Sequence, residues 1–380
     1  MMKLQRVFHM TALLLILPAM AFAQEETITN KPGGGYHFTI EVEHGVTSVK
    51  NQSRSSTCWS FSTLSFLESE LMRMGKGEYN LSEMYVVRNT YLEKARKYVR
   101  MHGSLNFAGG GAFHDVTAVL KTNGLVPESA YPGLIGGSSS HNHGELDAVT
   151  KAVCDAVIEH EELSSRWFPA FTAILDAYLG EYPASFEYNG QSFTPTTFTA
   201  SLGLNADDYV ELSSYTHHPF YETFMLEVPD NWDSKQVYNL PIDEMMATID
   251  HALENGYTVA WAADVSEKGF LYRDGVAVVP ANGDFTAAKD APLPQLTISQ
   301  DIRQEAFDNF ETTDDHGMHI TGIAKDQNGD KYYIVKNSWG DSNACGGYLY
   351  ASEAYVRYKT MDVMVHKASV PKKVAKKLGL

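Results

Sequence analysis

The sequence predicts an α+β fold, with helices in its first half and strands in its last, arranged as two layers with a cleft between them. Three observations carry this. Phe61, Leu64, Leu67, Leu71 and Met74 recur every three or four residues, the spacing of one helix face. Alternating segments at 318–323 and 331–336 flank Asp326-Gln327-Asn328-Gly329-Asp330, the pattern of two strands joined by a turn. The length of 380 residues with three cysteines allows a large core that needs no disulfide staples.

At the N-terminus, Lys3 and Arg6 precede the apolar run Ala12 to Pro18 and then Ala21-Phe22-Ala23. A basic flank, a short apolar core and a small-x-small site predict a secretory signal peptide cut after Ala23. The run is shorter than the roughly 20 residues a spanning helix needs. The chain is therefore expected to be exported, periplasmic or secreted, without stable membrane insertion after cleavage. Losing Lys3 and Arg6 moves the formal net charge from -17 to -19 and leaves 357 residues. So acidic a chain repels phosphate backbones, which excludes nucleic acid as a partner. Only the tail runs the other way, with Lys372, Lys373, Lys376 and Lys377. An odd cysteine count leaves at least one free thiol. Cys58 is the candidate; Cys154 and Cys345 either pair or remain two buried thiols.

After the leader, the chain reads as a helical half at about 46–137, an inserted region at about 138–234, a β-rich half at about 235–362 and a tail at 363–380. The helix from Thr57 to Met74 stops at Gly75 and Gly77, and Cys58 falls in its first turn, where unpaired amides favour negative charge. A helix at 113–122 is closed by Asn123-Gly124 with Pro127 beyond. The middle region carries helical patterns at 148–162 and 168–179, then an irregular stretch rich in Thr, Tyr and Pro. A helix at 242–255 precedes the β-branched and aromatic run 257–263.

Four residues carry the candidate chemistry. Cys58, followed by Trp59 at a helix start, has the setting that lowers a thiol pKa and favours a thiolate beside an imidazolium. Gln52 lies six residues upstream. His316-Gly317-Met318 opens the first late strand and Lys336-Asn337-Ser338-Trp339-Gly340 closes the second, so a hairpin brings His316 and Asn337 together. An imidazole base needs an orienting acceptor, which the Asn337 amide oxygen supplies. His319 competes as base, but three positions along a strand is an odd step, so the two histidines face opposite sides. His316 is taken as the base, and His319 as packed or on the surface.

The segment 51–62, with His316 and Asn337 in that order, resembles the papain-like cysteine peptidases. The resemblance implies a helical N-terminal domain and a β-barrel-like C-terminal domain flanking the active-site cleft. It also implies an oxyanion site at Gln52 and the Cys58 amide, substrate-backbone binding at Gly110 and Gly111 of the triplet 109–111, and Trp339 shielding the His–Asn bond. His316 and Asn337 follow Cys58 by 258 and 279 residues, well beyond the 130–150 of papain itself, so a large region is inserted. That architecture, with 193–195, 206–210, 238–244 and 263–265, is similar to the bleomycin hydrolase and aminopeptidase C branch. Membership there implies an aminopeptidase acting on peptides without a cofactor, a homo-hexamer, and a C-terminal carboxylate, here that of Leu380, receiving the substrate's amine. The alternatives are an endopeptidase of the same fold and an inactive exported binding scaffold. Three features depart from the branch: the export signal, Asp314-Asp315 before the base, and the basic tail.

No metal site is expected. His141-Asn142-His143-Gly144-Glu145, with His102 and His114 elsewhere, lacks helical zinc spacing and reads as a polar surface loop. The segment 326–330 lacks a calcium-loop Glu at position 12, where Asn337 stands. His217-His218 before Pro219 reads as a turn.

Overall fold

A computed structural model describes residues 28–380. The expected signal peptide and its cut after Ala23 lie outside the described residues. Among those described, no helix is long and apolar enough to cross a membrane.

The chain opens with β1 (Ile28–Thr29) and β2 (His37–Glu43), then turns helical: α1 (Cys58–Arg73), α2 (Glu83–Arg100), α3 (Phe113–Thr122), α4 (Gly144–Ile158) and α5 (Trp167–Leu179). A small hairpin, β3 (Phe186–Tyr188) and β4 (Gln191–Phe193), leads to α6 (Pro195–Leu202). Next come β5 (Tyr209–Ser213), β6 (Thr223–Met225), β7 (Gln236–Asn239), α7 (Ile242–Glu254), β8 (Val259–Ala263), β9 (Phe270–Leu271), β10 (Val276–Ala277), α8 (Phe285–Ala288) and α9 (Gln300–Asp308). The chain ends with β11 (His316–Lys325), β12 (Lys331–Lys336), β13 (Tyr348–Ser352), α10 (Glu353–Lys359), β14 (Thr360–His366) and α11 (Lys372–Leu378).

Leu64, Leu67 and Leu71 of α1 are fully buried, as their spacing requires, and pack with Tyr85 and Val86 of α2 and Val116 of α3. Ser82 caps α2 by accepting the Tyr85 amide at 3.0 Å, which satisfies a first-turn donor. The large sheet has the order β6-β7-β5-β14-β8-β11-β12-β13-β10-β9, with β2 and β1 added beside β11. Among the described residues nothing joins the edge strands β6 and β9, so the sheet stays open. The β-rich half is barrel-like in placement but not closed.

Alternation decides what covers each face of the sheet. Ala260 and Met364 pack into the cluster built by α1, α2 and α3, while Trp261, Val363 and Val365 face α7 and α11. The inserted region divides between the layers. Its helices α4 and α5 pack on α2, whereas β5, β6 and most of the way to β7 extend the sheet beside β14. The stretch read as irregular thus supplies strands, whose short runs of three to five residues carry little periodicity. The tail boundary at 363 also shifts, because β14 runs through His366 at the centre of the sheet. Cys154 and Cys345 are both free thiols, so they do not pair.

Candidate active site

Cys58 opens α1 and is partly open to the cleft. Thr57 stands at the N-cap without capping through its side chain, since its hydroxyl is engaged by Ser55 Oγ at 2.5 Å. The Thr57 carbonyl takes the Ser60 and Phe61 amides. The earlier amides of the turn stay available, and the Cys58 sulfur takes hydrogen bonds from the Gly317 and Trp59 N–H groups. Gly317 follows His316, so strand β11 and helix α1 meet at the thiol.

The hairpin of β11 and β12 pairs His319 with Lys336. Three residues back along one strand and three on along the other, His316 meets Trp339, whose ring lies 4.6 Å from the imidazole at 31°. His316 Nε2 donates to Asn337 Oδ1 at 2.7 Å. The same oxygen accepts the Ser338 amide at 2.7 Å, which fixes the orientation of the Asn337 amide and therefore the tautomer of the ring. With its proton on Nε2, His316 has Nδ1 free as a base. Edge contacts from Phe270 and Tyr272, at 5.9 and 5.0 Å, hold the indole in place.

Gln52 is 7 % exposed. Its Oε1 accepts from Ser338 Oγ at 2.7 Å, leaving its NH2 group for the cleft it lines with Cys58, His316 and Trp339. The glycine triplet is fastened from below: Trp59 Nε1 donates to the Gly109 carbonyl at 3.1 Å, and buried Lys94 donates to Ala108 and Gly110. A Cβ at Gly111 would come within 2.9 Å of the Trp59 ring, so only glycine lets this backbone lie so close to the indole. Gly110 and Gly111 thus line the cleft beside Cys58.

Burial sets the resting protonation. It pushes the Cys58 thiol up to about 12 against the pull of the Gly317 amide, with Asp314 and Asp230 adding to the rise. Burial likewise pushes His316 down to about 4, opposed by its bond to Asn337. In the substrate-free site burial thus works against charge on both groups, whereas the helix start works toward the thiolate. The difference comes from desolvation by the packed cleft, which a sequence does not display.

A family model described as the Peptidase C1-like family matches residues 183–379, and one described as papain family cysteine protease matches residues 38–164. The chain belongs to the Peptidase C1-like family. The resemblance drawn from Cys58, His316 and Asn337 is borne out at that level. Aminopeptidase W of Lactobacillus delbrueckii subsp. lactis is 25 % identical over 88 % of this chain and 84 % of its own length. Aminopeptidase E of Lactobacillus helveticus is 23 % identical over 87 % and 83 %. The crystal structure of PepW from Lactobacillus rhamnosis HN001 superposes with a TM-score of 0.70 at 21 % identity, covering 90 % of this chain and 84 % of that one, so the fold is shared.

Against this C1-like framework several readings change. Leu380 does not reach the cleft. Its amide bonds the Ala375 carbonyl at 3.0 Å, and α11 packs Val374 and Leu378 against the α7 face of the sheet, opposite α1. Lys377 secures that position on Glu244 at 2.6 Å. The segment 141–145 is a surface loop only in part: Asn142, Gly144 and Glu145 are exposed, but His141 and His143 are 9 % and 4 % exposed, held by exchange of backbone bonds with Arg54. His114 lies in α3 and meets Glu211 at 3.0 Å. His217 and His218 are in a turn, but both bond Glu227, at 2.9 and 2.8 Å. Gln304 Nε2 donates to His217 Nδ1 at 2.9 Å, which puts the ring proton on Nε2 and makes that nitrogen a donor rather than a metal ligand. His319 is 1 % exposed and bonds Ser65 at 2.9 Å, so it is packed.

The residues missed by sequence reasoning lie on the far side of Cys58. Glu211 of β5, Asp230 of the β6–β7 loop, Asp314 and Asp362 of β14 line one small cavity of about 30 Å³ with the thiol. Only the unusual Asp314-Asp315 pair before the base gave a signal.

Proposed function

We propose that the protein is a cysteine aminopeptidase in which Cys58 is the nucleophile, His316 the general base and acid, and Asn337 the group that orients the ring. The observation that carries this is the His316–Asn337 bond, fixed by the Ser338 amide and covered by Trp339, with Nδ1 left free at the mouth of α1. His316 Nδ1 takes the thiol proton as Sγ bonds to the substrate carbonyl carbon. That transfer creates two charges, which attract strongly inside the cleft and are favoured by the N-terminus of α1, so the pair changes state as a unit. The oxyanion is received by the Gln52 NH2 and the Cys58 amide. His316 returns the proton to the departing amine, and the C–N bond breaks. Water, deprotonated by the same nitrogen, then attacks the thioester, and the thiol is released with the carboxylic acid product.

The aminopeptidase assignment is supported by the names of the relatives. The position of Leu380 favours a second reading, an endopeptidase of the same fold, because the carboxylate that would meet a substrate amine in the bleomycin hydrolase branch is packed elsewhere. Paired aminoacyl and N-acetyl-aminoacyl coumarin amides separate the two: an aminopeptidase cleaves only the free amine, and equal rates on both establish an endopeptidase. Cys58→Ala should abolish hydrolysis, and a thiol-directed epoxide should add its mass at Cys58. A chain unlabelled there under reducing conditions would instead be the inactive scaffold. Export rests on Lys3, Arg6 and the following apolar run; a mature protein beginning at Gln24 on N-terminal sequencing would support it, and an intact Met1 or Met2 would refute it.

A further inference from the structure

Lys94 of α2 is 1 % exposed, and its Nζ bonds two main-chain carbonyls of the glycine loop, Ala108 at 2.7 Å and Gly110 at 2.5 Å. The carbonyl between them, that of Gly109, accepts the Trp59 indole N–H at 3.1 Å. Three consecutive carbonyls thus each meet a buried donor. At the far end of the loop the Ala112 amide donates to Asp115 Oδ2 at 2.9 Å, and the Trp232 indole N–H donates to the same oxygen at 3.0 Å. The amides of Gly109, Gly110 and Gly111, by contrast, find no acceptor among the described residues. The loop therefore spends its carbonyls inside the protein and keeps three donors unspent beside Cys58.

Holding two neutral carbonyls with a buried cation is costly, and burial pulls the Lys94 ammonium below the usual lysine range. Asp115, Asp230 and Asp147 oppose that pull through space, while the Tyr91 and Trp232 rings stand 5.9 and 5.6 Å from Nζ. A neutral donor like the Trp59 indole is enough to hold a carbonyl, so placement alone does not call for a charge. What the charge adds is polarisation. The oxygen and the N–H of a peptide unit belong to one conjugated group, so a donor on the oxygen strengthens the N–H as a donor. The Gly109, Gly110 and Gly111 amides share their units with the Ala108, Gly109 and Gly110 carbonyls. Two of those three oxygens carry the ammonium, and hydrogen bonds from ionised donors are the stronger class.

We infer that Lys94 is the positioning residue of the glycine loop: by taking up the Ala108 and Gly110 carbonyls it fixes the triplet with its amides free, and its charge strengthens those amides as donors to a main-chain carbonyl of the bound peptide. Lys94 touches no substrate and acts only through the loop. The inference rests on the peptidase reading for where the peptide lies. Gly109 and Gly110 line one opening of the cleft at Cys58, and Gly111 lines the other, so the three amides border the thiol along its length.

The experiment separates the loop from the thiol. Lys94→Met keeps the aliphatic stem and removes the donors. Calorimetry measures binding of an N-acetyl-dipeptide amide to Cys58→Ala with and without Lys94→Met, and alkylation of Cys58 by iodoacetamide, which needs no loop contact, is timed in the full chain and in Lys94→Met. The dissociation constant should rise tenfold or more while the alkylation rate stays within twofold. Among coumarin amides that are hydrolysed, KM should rise more than kcat falls. Lys94→Arg, which keeps the charge, should recover part of the loss, and Lys94→Gln, a neutral donor, should recover less. If Lys94→Met does not fold, that Arg-against-Gln difference is the deciding measurement. Equal affinities with and without Lys94→Met, equal recovery by Arg and Gln, no measurable binding to Cys58→Ala, or a parallel loss of alkylation overturns the inference. Binding that depends on Lys94 in a chain that hydrolyses no peptide defeats the peptidase reading and leaves the inference standing.

Discussion

Two buried polar clusters touch α1, and they are built on opposite principles. Along the flank of the helix, Lys50 bonds Glu68 at 3.1 Å and Glu83 at 2.5 Å, and Lys336 bonds Ser65 at 2.8 Å and Thr47 at 3.2 Å. Glu68 also accepts the Leu81 amide at 2.8 Å, while Glu128, pushed by burial and by Glu83 up to about 8, keeps its proton at neutral pH. Two ammonium groups therefore face two carboxylates. At the N-terminal end of the same helix, Asp362 shares a proton with Glu211, which His114 pairs at 3.0 Å, and burial keeps Asp314 beside them from ionising readily. The flank is balanced by ion pairs that tie the layers together, whereas the cluster at the helix start is balanced mainly by burial that favours the protonated carboxyls.

That contrast can be broken from either side. The largest effect belongs to the balanced cluster: Lys50→Met strands Glu68 and Glu83 without a counter-ion and should lower unfolding free energy by about 3–5 kcal/mol, measured by urea denaturation, while KM of the folded fraction stays constant. Next, Asp362→Asn, which exchanges a protonated carboxyl beside Glu211 for an amide, should change unfolding free energy by less than about 1 kcal/mol in the same urea titration; a loss of stability comparable to that of Lys50→Met would make the two clusters alike.

Two further effects follow from titration. Burial pushes His319 well below the usual histidine range, so below the unfolded value of about 6.5 the unfolded chain gains a proton that the folded chain refuses. Stability then falls by up to about 1.4 kcal/mol per pH unit as the medium is acidified, and His319→Met should flatten that part of a thermal-melt pH series. Asp314 behaves in the opposite sense. Its folded value of about 7 lies above the unfolded one, so its carboxyl costs stability increasingly as pH rises from about 4 through 7. Asp314→Asn should therefore raise the melting point at pH 8 by a few degrees, equivalent to about 1 kcal/mol, and leave it unchanged at pH 4.

The two histidines show how far the sequence could be read. An odd step along β11 separates His316 from His319, and the structure places one at the cleft and the other beneath α1 beside Ser65. Helix α1 was legible because five apolar residues keep one spacing, and the hairpin because two alternating runs flank a turn. The strands of the inserted region were not, since three to five residues do not establish a period. Nor was the destination of Leu380, which depends on Val374 and Leu378 meeting the α7 face of the sheet.

By itself the sequence determined the local chemistry: a thiol at a helix start, a base and its orienting amide on a hairpin, and a glycine loop. These depend on neighbours within a few residues or on one strand pairing, so pattern suffices to reveal them. Tertiary structure alone decided the electrostatics. Glu211, Asp230, Asp314 and Asp362 come from four separate segments spread over 152 positions, and only packing brings their carboxyls into one cavity. Charge energies depend on distance and on exclusion of water, neither of which is written in the order of residues.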